Sequence, residues 1–283
     1  MDIIKLTTKI LQVETATREL SSLWNAFNDP LLKELRLEKE GFIQPPPNPK
    51  YYRLYGHYLC PYVERALLAL AFKKVPYQFV SIDFPSRPKW YYDLPSKGKV
   101  PLLEFPNQSK HLPESANICI YLDENFNTGM ELIPKDNEEL KGKILGLKDI
   151  AGRFEINFYK FRSDKSDDAV KALRSNLEEF NGMLKDNKNH PFFFDQPHPT
   201  LADILILPHF HRIILSEHTT AKQAWAKLKP YDLSFMMWWY TNMMLLKEVL
   251  SITTSKDNFV ELEKWQIETN QYTLPLSLSK PPL

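Results

Sequence analysis

One cysteine at the predicted start of a helix is the residue of this sequence best placed to do covalent chemistry. Cys60 lies in the stretch YRLYGHYLCPYVER, residues 52–65, in which alternating residues predict a short strand followed by a turn. Pro61 suits the first helical position, because it has no N–H to leave unpaired there, and ERALLALAF continues with the spacing of a buried helix. The sequence therefore predicts a strand, a loop and a helix that starts at Cys-Pro.

A thiol in this position is expected to be activated. The unpaired N–H groups and the positive dipole end of a helix favour thiolate over thiol, which lowers the cysteine pKa and makes the sulfur nucleophilic at neutral pH. The alternative is that Cys60 is a small buried hydrophobic residue, as many cysteines are. No second cysteine follows at Cys-x-x-Cys spacing. Redox chemistry would therefore run through a mixed disulfide with an outside thiol.

Length and composition predict a soluble intracellular protein with a sizeable core. The chain has 283 residues, 43% hydrophobic and 13% aromatic, which is enough for two domains or one large one. Its 36 basic and 35 acidic residues give a net charge of +1, so neither nucleic acid nor an anionic membrane surface is expected as a partner. No apolar run is long enough for a membrane span, and the first residues do not resemble a signal peptide. We expect a cytoplasmic location, with a mitochondrial one as the alternative.

The two ends of the chain differ in character from its middle. Residues 1–49 are predicted to form a helical N-terminal extension and a proline-rich linker, and residues 271–283 a proline-rich tail. Within a helix predicted over residues 1–40, one apolar stripe is formed by Leu20, Leu23, Trp24, Phe27 and Leu31. This stripe either folds back on its own domain or docks on another chain.

Residues 50–126 show the order strand, helix, strand, then two strands and a helix. After the Cys60 helix, strands are predicted at residues 77–83, 100–105 and 110–112. The helix that follows carries Cys119 on its apolar side, so this second cysteine is expected in the core. Such an order predicts a thioredoxin-like layout, with helices packed on a small mixed sheet.

Residues 137–270 predict an all-helical domain, since they form long amphipathic stretches. Within it, Thr200 is an N-cap candidate and Asp203 can accept from the backbone N–H of the cap. We interpret this pair as a structural cap, with a catalytic role for Asp203 as the alternative. His209 and His211 are two residues apart on the following helix, so they point to different faces, and no carboxylate or cysteine completes a ligand set. We therefore expect no metal site.

Four motifs together resemble the glutathione transferase superfamily, most closely its omega class. They are YLCPYVER, PKWYYDLPSKGKVPLLE, LPESANICIYLDE and HPTLADILILPHF, and the resemblance covers residues 50–270. It implies a thioredoxin-like α/β domain that binds glutathione, over residues 50–126, and an all-α C-terminal domain that supplies an acceptor-substrate pocket. In the omega class the residue that matches Cys60 is the catalytic cysteine.

The same resemblance implies five glutathione-binding residues: Arg87, Val100, Pro101, Glu114 and Ser115. Val100 would offer its backbone to the cysteinyl part, just before a cis-proline at Pro101. Glu114 and Ser115 match the pair that holds the γ-glutamyl end, where a serine at a helix start can donate to a carboxylate and a glutamate can accept from an ammonium. The omega class usually has lysine in place of Arg87, whose planar fork can still contact the glycyl carboxylate. A second departure is the long N-terminal extension.

Two functions of different classes fit these observations. The first is a glutathione-dependent thiol transferase or dehydroascorbate reductase, in which glutathione is a substrate, Cys60 attacks, and the acceptor is an apolar or disulfide compound. The alternative is a non-catalytic subunit that keeps the fold and joins a larger complex, for example a mitochondrial one, through its N-terminal extension and tail. We expect a homodimer in the first case and a heteromeric assembly in the second. Fold alone does not decide between them.

Overall fold

The computed structural model describes residues 29–37, 42–269, 273–278 and 280. The chain divides into two compact units. The first unit contains the described residues up to Gly129 and those from Lys247 onward, and the second runs from Met130 to Leu246. The sequence groups residues 247–270 with the helical domain, whereas the structure places their described part in the first unit.

The first unit is built on a five-stranded mixed sheet. Its strands are β1, Leu35–Leu37; β2, Tyr52–Gly56; β3, Tyr77–Ile82; β4, Leu102–Glu104; and β5, His111–Pro113. They lie in the order β1-β3-β2-β4-β5. The first three strands in this order are mutually parallel, while β4 runs antiparallel to both β2 and β5.

The helices occupy both units. They are α1, Pro61–Phe72; α2, Ser115–Asn125; α3, Glu138–Ser163; α4, Asp167–Lys185; α5, Leu201–Leu215; α6, Lys222–Leu228; α7, Ser234–Met244; α8, Lys247–Leu250; and α9, Lys256–Thr269. The second unit holds α3 to α7. A mixed sheet with helices, followed by a helical unit, confirms the predicted fold class. Within the described ranges, no helix combines the length and the apolar character that a membrane crossing requires.

Helix α1 lies at the centre of the first unit. Its apolar residues from Val63 to Phe72 are all buried, as expected for a helix that is apolar on every side. It packs against α2, in which Ile118, Cys119 and Leu122 are fully buried. A second group of buried residues fills the other part of the unit: Leu37, Tyr55, Val80, Ile82, Tyr91 and Leu102.

Strand β1 differs from the helix that the sequence predicts over residues 1–40. The described part of that range, residues 29–37, contains a 3₁₀ turn at Pro30–Leu32 and then β1, so the helix prediction is wrong there. Strand β1 extends the sheet alongside β3, and Leu37 is completely buried in the core. This burial decides the local structure, because a three-residue segment has little intrinsic preference of its own.

The apolar stripe predicted in the N-terminal extension is described only at its last member, Leu31. The other members lie outside the described residues: Leu20, Leu23, Trp24 and Phe27. In residues 29–37 the chain folds back on its own domain, which is one of the two alternatives for this segment.

A buried ion pair joins β2 to β4. Arg53 Nη1 lies 2.9 Å from Glu104 Oε1, and the two side chains are only 5% and 2% exposed. The Tyr55 hydroxyl donates to the other carboxylate oxygen at 2.8 Å. Arg53 also donates to Gln78 Oε1 at 2.9 Å and to the Pro46 carbonyl at 3.0 Å. Both charges are therefore buried with several partners each, the condition under which a buried pair is tolerated.

The hydrogen bonds continue from this pair into the N-terminal extension. Asn48 Nδ2 donates to Gln78 Oε1 at 3.1 Å and to the Leu31 carbonyl at 2.8 Å. Gln78 Nε2 donates to the Lys33 carbonyl at 2.8 Å. Side chains of the sheet thus hold the described part of the extension in place.

Glu104→Gln should destabilise the protein strongly. Burial raises the pKa of Glu104, but hydrogen bonds from His111 and Tyr55 and the charge of Arg53 outweigh burial and lower it, so the group is ionised at neutral pH. The variant leaves the Arg53 cation buried without a counter-charge, and urea unfolding should show a loss of about 3–5 kcal/mol. The double variant Arg53→Met/Glu104→Gln is the control and should recover part of this loss. A loss below about 1 kcal/mol for the single variant would contradict the role of the pair.

In the second unit, helix α5 begins with a reciprocal capping box between Thr200 and Asp203. Asp203 Oδ2 accepts from the Thr200 backbone N–H at 2.7 Å. The other carboxylate oxygen accepts from Trp239 Nε1 at 2.8 Å and from the Phe193 N–H at 3.1 Å. Asp203 therefore joins the helix start, the preceding loop and α7, and all of its contacts are structural.

Asp203 makes stability depend on pH in a direction opposite to most carboxylates. Burial raises its pKa from 3.8 to about 6 despite the hydrogen bonds that lower it. Because the folded-state pKa is the higher one, its contribution to stability is present below about pH 4 and is lost as the pH rises through about 6. The advantage of the wild type over Asp203→Asn in the free energy of unfolding should therefore shrink between these values. An advantage that grows with pH would show that the hydrogen bonds outweigh burial.

Candidate functional site

The strand register brings the predicted site residues to one end of the sheet. Strands β2 and β3 are parallel, with Gly56 opposite Ser81, so the Cys60 turn and the segment with Arg87 both leave the sheet at this end. Strand β4 is antiparallel to β2, with Leu102 opposite Tyr55. Residues 100–101, which enter β4, therefore lie beside the end of β2.

The last strand completes this arrangement. Strand β5 is antiparallel to β4, and its final residue, Pro113, lies opposite Leu102. Glu114 and Ser115 follow Pro113 directly and so leave the sheet at the same end. The four segments that the sequence predicts for glutathione binding and catalysis are thus gathered by backbone pairing alone.

Cys60 is the N-cap residue of α1. Its backbone is extended, with φ −83° and ψ 121°, and its carbonyl accepts the first helical hydrogen bond from the Glu64 N–H at 3.0 Å. Pro61 takes the first helical position, as predicted from the sequence. The residue is 6% exposed and is not in a disulfide. Its sulfur is attached where the dipole of a twelve-residue helix is most positive.

Cys119 is a core residue, as the sequence predicts. It is completely buried in α2, and burial raises the pKa of its thiol to about 12. Its sulfur lies 3.5 Å from the Arg65 carbonyl oxygen. Cys119 therefore stays a neutral thiol and has no part in nucleophilic chemistry.

His57 shapes the turn before Cys60, although it is not among the site residues predicted from the sequence. Its carbonyl accepts from the Cys60 N–H at 2.9 Å, and its Nδ1 accepts from the Leu59 N–H at 3.1 Å. Burial lowers the pKa of this fully buried histidine to about 4, so the ring is neutral. Since Nδ1 accepts, the proton is on Nε2. A histidine three residues before Cys-Pro in a strand-to-helix turn is the signal that was available.

The Val100–Pro101 peptide bond is cis, and Pro101 is buried. Val100 is partly buried against the apolar group around Tyr91. The Tyr91 hydroxyl donates to the Lys99 carbonyl at 2.8 Å, which fixes the chain immediately before Val100. Burial raises the pKa of Tyr91, so its hydroxyl stays protonated and keeps this hydrogen bond.

Glu114 and Ser115 form the start of α2. Glu114 is the N-cap residue and is exposed, with φ 72° and ψ 115°, a left-handed conformation that costs a non-glycine residue about 1–3 kcal/mol. Ser115 follows it and is buried, at 6% exposure. Strain of this kind persists where the surrounding structure requires one backbone path, and functional sites are enriched in it.

Arg87 lies in the loop between β3 and β4 and forms hydrogen bonds with the backbone of that loop. Its Nε donates to the Phe84 carbonyl at 3.2 Å, and Nη1 donates to the Gly98 carbonyl. Its guanidinium lies 4.9 Å from the centre of the Phe84 ring and 5.3 Å from that of Tyr92. Arg87 therefore stabilises this loop.

The remaining predicted residues, Thr200 and Asp203, belong to the second unit and form the cap described above. In the same unit His211 Nδ1 lies 2.7 Å from the Tyr240 hydroxyl, and His209 packs edge-on against Phe158. A search of the described residues finds no group of three or more histidine, cysteine or acidic residues that could hold a metal ion.

A cavity of about 570 Å³ lies in the second unit, and none of its lining residues is predicted for catalysis or glutathione binding. Its lining residues are Asn137, Glu139, Leu140, Lys143, Met183, Asp186, Asn187, Phe194, Asp195 and Gln196. None of these side chains is a thiol, hydroxyl or imidazole. The end of the sheet, which has both the cysteine and the helix starts, is therefore the better candidate site.

Comparison with known proteins gives consistent results. Residues 54–130 match the family model described as glutathione S-transferase, N-terminal domain. A probable glutathione transferase omega-2 of Caenorhabditis briggsae is 32% identical over 184 residues, which is 64% of this chain and 71% of the relative.

Two solved structures show the same fold. A trimeric glutathione transferase of Leishmania has a TM-score of 0.70 and 22% identity, covering 78% of this chain and 49% of the other. A dehydroascorbate reductase of Chlamydomonas reinhardtii has a TM-score of 0.61 and 20% identity, covering 77% of this chain and 99% of the other. The family model, the relative and the fold agree with one another. The chain belongs to the glutathione transferase superfamily and is similar to its omega class.

Proposed function

We propose that this protein is a glutathione-dependent thiol transferase in which the Cys60 thiolate is the nucleophile. The observation that carries the proposal is the position of Cys60 at the N-terminus of α1, at the sheet end that also holds the Val100–Pro101 bond and the start of α2. One group of residues can thus activate a sulfur and another can hold a peptide thiol beside it.

The helix start supports the thiolate form. Pro61 supplies no N–H, and the first turn of a helix directs its backbone N–H groups toward the N-terminus, where Cys60 lies. These amides and the helix dipole favour a negative charge at Cys60. We infer that the Cys60 thiol has a pKa below that of an ordinary cysteine.

The reaction follows from thiol–disulfide exchange. The thiolate attacks the glutathione sulfur of a mixed disulfide R–S–SG, so that a Cys60–SG bond forms and R–S⁻ leaves and takes up a proton. A glutathione thiolate then attacks the Cys60–SG bond, which releases glutathione disulfide and regenerates the Cys60 thiolate. The net reaction is R–S–SG + GSH → R–SH + GSSG, so one glutathione thiol is consumed and the other half of the disulfide product comes from the substrate.

Dehydroascorbate is a second acceptor class for the same site. The Chlamydomonas structure with this fold is titled a dehydroascorbate reductase. Reduction of dehydroascorbate takes two electrons and two protons, and oxidation of two glutathione molecules to the disulfide supplies both. Cys60 would pass through the same mixed disulfide with glutathione.

Glutathione recognition is assigned to the segments around Cys60. Ser115 at the start of α2 can donate its hydroxyl and N–H groups to the γ-glutamyl carboxylate. The exposed Glu114 carboxylate can accept from the γ-glutamyl ammonium. The backbone of Val100, turned by the cis bond to Pro101, is available to the cysteinyl amide. These contacts would place the glutathione sulfur toward Cys60.

The alternative of a complex subunit receives less support. Residues 29–37, the described part of the extension that would dock on a partner, are folded onto the protein's own sheet. Their hydrogen bonds to Asn48 and Gln78 hold them there. Residues 29–37 therefore give no support to docking on a partner.

Cys60→Ser should abolish thiol transfer and leave the fold intact, because a serine hydroxyl remains protonated and does not exchange with disulfides. Cys119→Ser is the matched control and should retain activity. Iodoacetamide alkylation of Cys60 in the wild type, followed against pH by mass spectrometry, should show a midpoint below about 8.5, the value of an unperturbed thiol. Activity in Cys60→Ser, or a midpoint near that value, would refute the mechanism.

Ser115→Ala should weaken glutathione binding about ten- to a hundredfold, since it removes one hydrogen bond to a charged group. Isothermal calorimetry measures this. Ser166→Ala is the control: Ser166 caps α4, with its Oγ accepting from the Ala169 N–H at 3.2 Å. That variant should lose about 1 kcal/mol of stability without a change in affinity. Equal affinities for wild type and Ser115→Ala would place the ligand elsewhere.

A further inference from the structure

A short C-terminal segment, residues 273–278, lies against the turn that carries Cys60. His57 Nε2 donates to the Pro275 carbonyl oxygen at 3.0 Å, across 218 positions of sequence. Leu278 is buried in one apolar cluster with Leu59. The segment therefore contacts the turn through the third residue before Cys60 and the residue immediately before it.

Further contacts fix the segment at the same end of the sheet. The Leu276 N–H donates to Asp83 Oδ1 at 2.6 Å, and the Phe84 N–H donates to the Leu274 carbonyl at 3.2 Å. Arg36 Nη2 donates to the Leu276 carbonyl at 2.9 Å. Asp83 and Phe84 directly follow β3, so the segment crosses the end of the sheet where the site residues gather.

The apolar part of the contact is small. Leu278 and Leu59 pack with Leu262 of α9, and Trp265 and Leu274 cover this cluster from its edge. Releasing a segment that is held by a few hydrogen bonds and one compact apolar cluster costs less free energy than unfolding the whole domain. Helix α1 and the sheet beneath it have far more buried contact, so the segment can leave while they stay folded.

His57 links the segment to the cysteine. One ring atom, Nε2, binds the segment, while Nδ1 and the His57 carbonyl hold the amides of Leu59 and Cys60. The ring cannot turn without breaking contacts on both sides. Its charged neighbours are Asp83 and Arg36, which also bind the segment. Whether the segment is bound therefore affects the conformation of the turn, because both depend on the His57 side chain.

We propose that residues 273–278 form a strap that is seated on the Cys60 turn through His57, and that release of the strap controls the access of external thiols, disulfides and alkylating reagents to Cys60. Cys60 is only 6% exposed while the segment is seated, a low value for a sulfur that has to meet external thiols and disulfides. The inference rests on the proposed role of Cys60, but its test measures access to the sulfur and needs no turnover.

The test uses the full chain and the rate at which iodoacetamide alkylates Cys60 at about pH 9, where an ordinary thiol is largely ionised. Two variants separate the contacts of His57. The amide oxygen of His57→Asn can still accept from the Leu59 N–H but cannot reach Pro275, while His57→Gln can reach Pro275 and loses the Leu59 contact. His57→Asn should alkylate about fivefold faster than wild type, and His57→Gln should be slower than His57→Asn.

Leu278→Asp disrupts the apolar seat and leaves every residue of the turn unchanged, and it should raise the Cys60 rate at least about tenfold. Cys119, completely buried in the same unit, is the internal control and should stay slow in every variant. In the double variant, His57→Asn should add less than about twofold to Leu278→Asp, because the strap is already released.

Three results would overturn the strap. The first is a Cys60 alkylation rate within about twofold of wild type in both His57→Asn and Leu278→Asp. The second is a double variant in which the two effects on this rate multiply fully, as independent effects do. The third is a Cys119 alkylation rate that rises together with that of Cys60. Strap-dependent alkylation in a protein that transfers no thiol would uphold the strap and refute the proposed function. Thiol transfer in a protein whose Cys60 alkylation rate is unaffected by these variants would support the proposed function and refute the strap.

Discussion

The ion pair between Arg53 and Glu104 is the interaction on which the geometry of the site depends. These two residues are directly opposite each other in the pairing of β2 with β4, and both are buried. A slip of β4 by one residue would turn Glu104 to the other face of the sheet and leave both buried charges unpaired, so the pair specifies the register. That register places Leu102 opposite Tyr55 and thereby brings the entry to β4 beside the Cys60 turn. The Arg53–Glu104 pair thus helps to position the candidate site around Cys60, although neither residue belongs to that site.

The two ends of the chain are attached to this framework in different ways. The N-terminal extension is held by buried side chains, Asn48 and Gln78, which continue the hydrogen bonds of Arg53. The C-terminal strap is held at its edge by Asp83 and Arg36, and Arg36 belongs to β1. The extension therefore provides part of the surface on which the strap lies. Removing the buried side chains would loosen both ends, whereas releasing the strap leaves the extension in place.

The sequence predicts those parts of the fold that are set by local patterns. The Cys-Pro helix start, the order of four strands and the capping box at Thr200 each depend on residues close in sequence. Strand β1 has three residues and exists because it pairs with β3, more than forty positions away, so no periodicity indicates it. The same holds for His57, whose partner Pro275 is 218 positions distant. Long-range packing decides both, and composition gives no signal of it.

Arg87 shows how one departure from a family pattern changes a site. A guanidinium has five N–H donors in a plane, and two of its nitrogens bind the Phe84 and Gly98 carbonyls. A lysine has its three N–H donors on one nitrogen at the end of a flexible stem, and it lacks the planar fork that binds separate carbonyls while it stacks on rings. Arginine at this position therefore stabilises the loop after β3 itself. Since Phe84 of that loop also binds the strap through its N–H, the residue that replaces the family's lysine supports the closed state of the site.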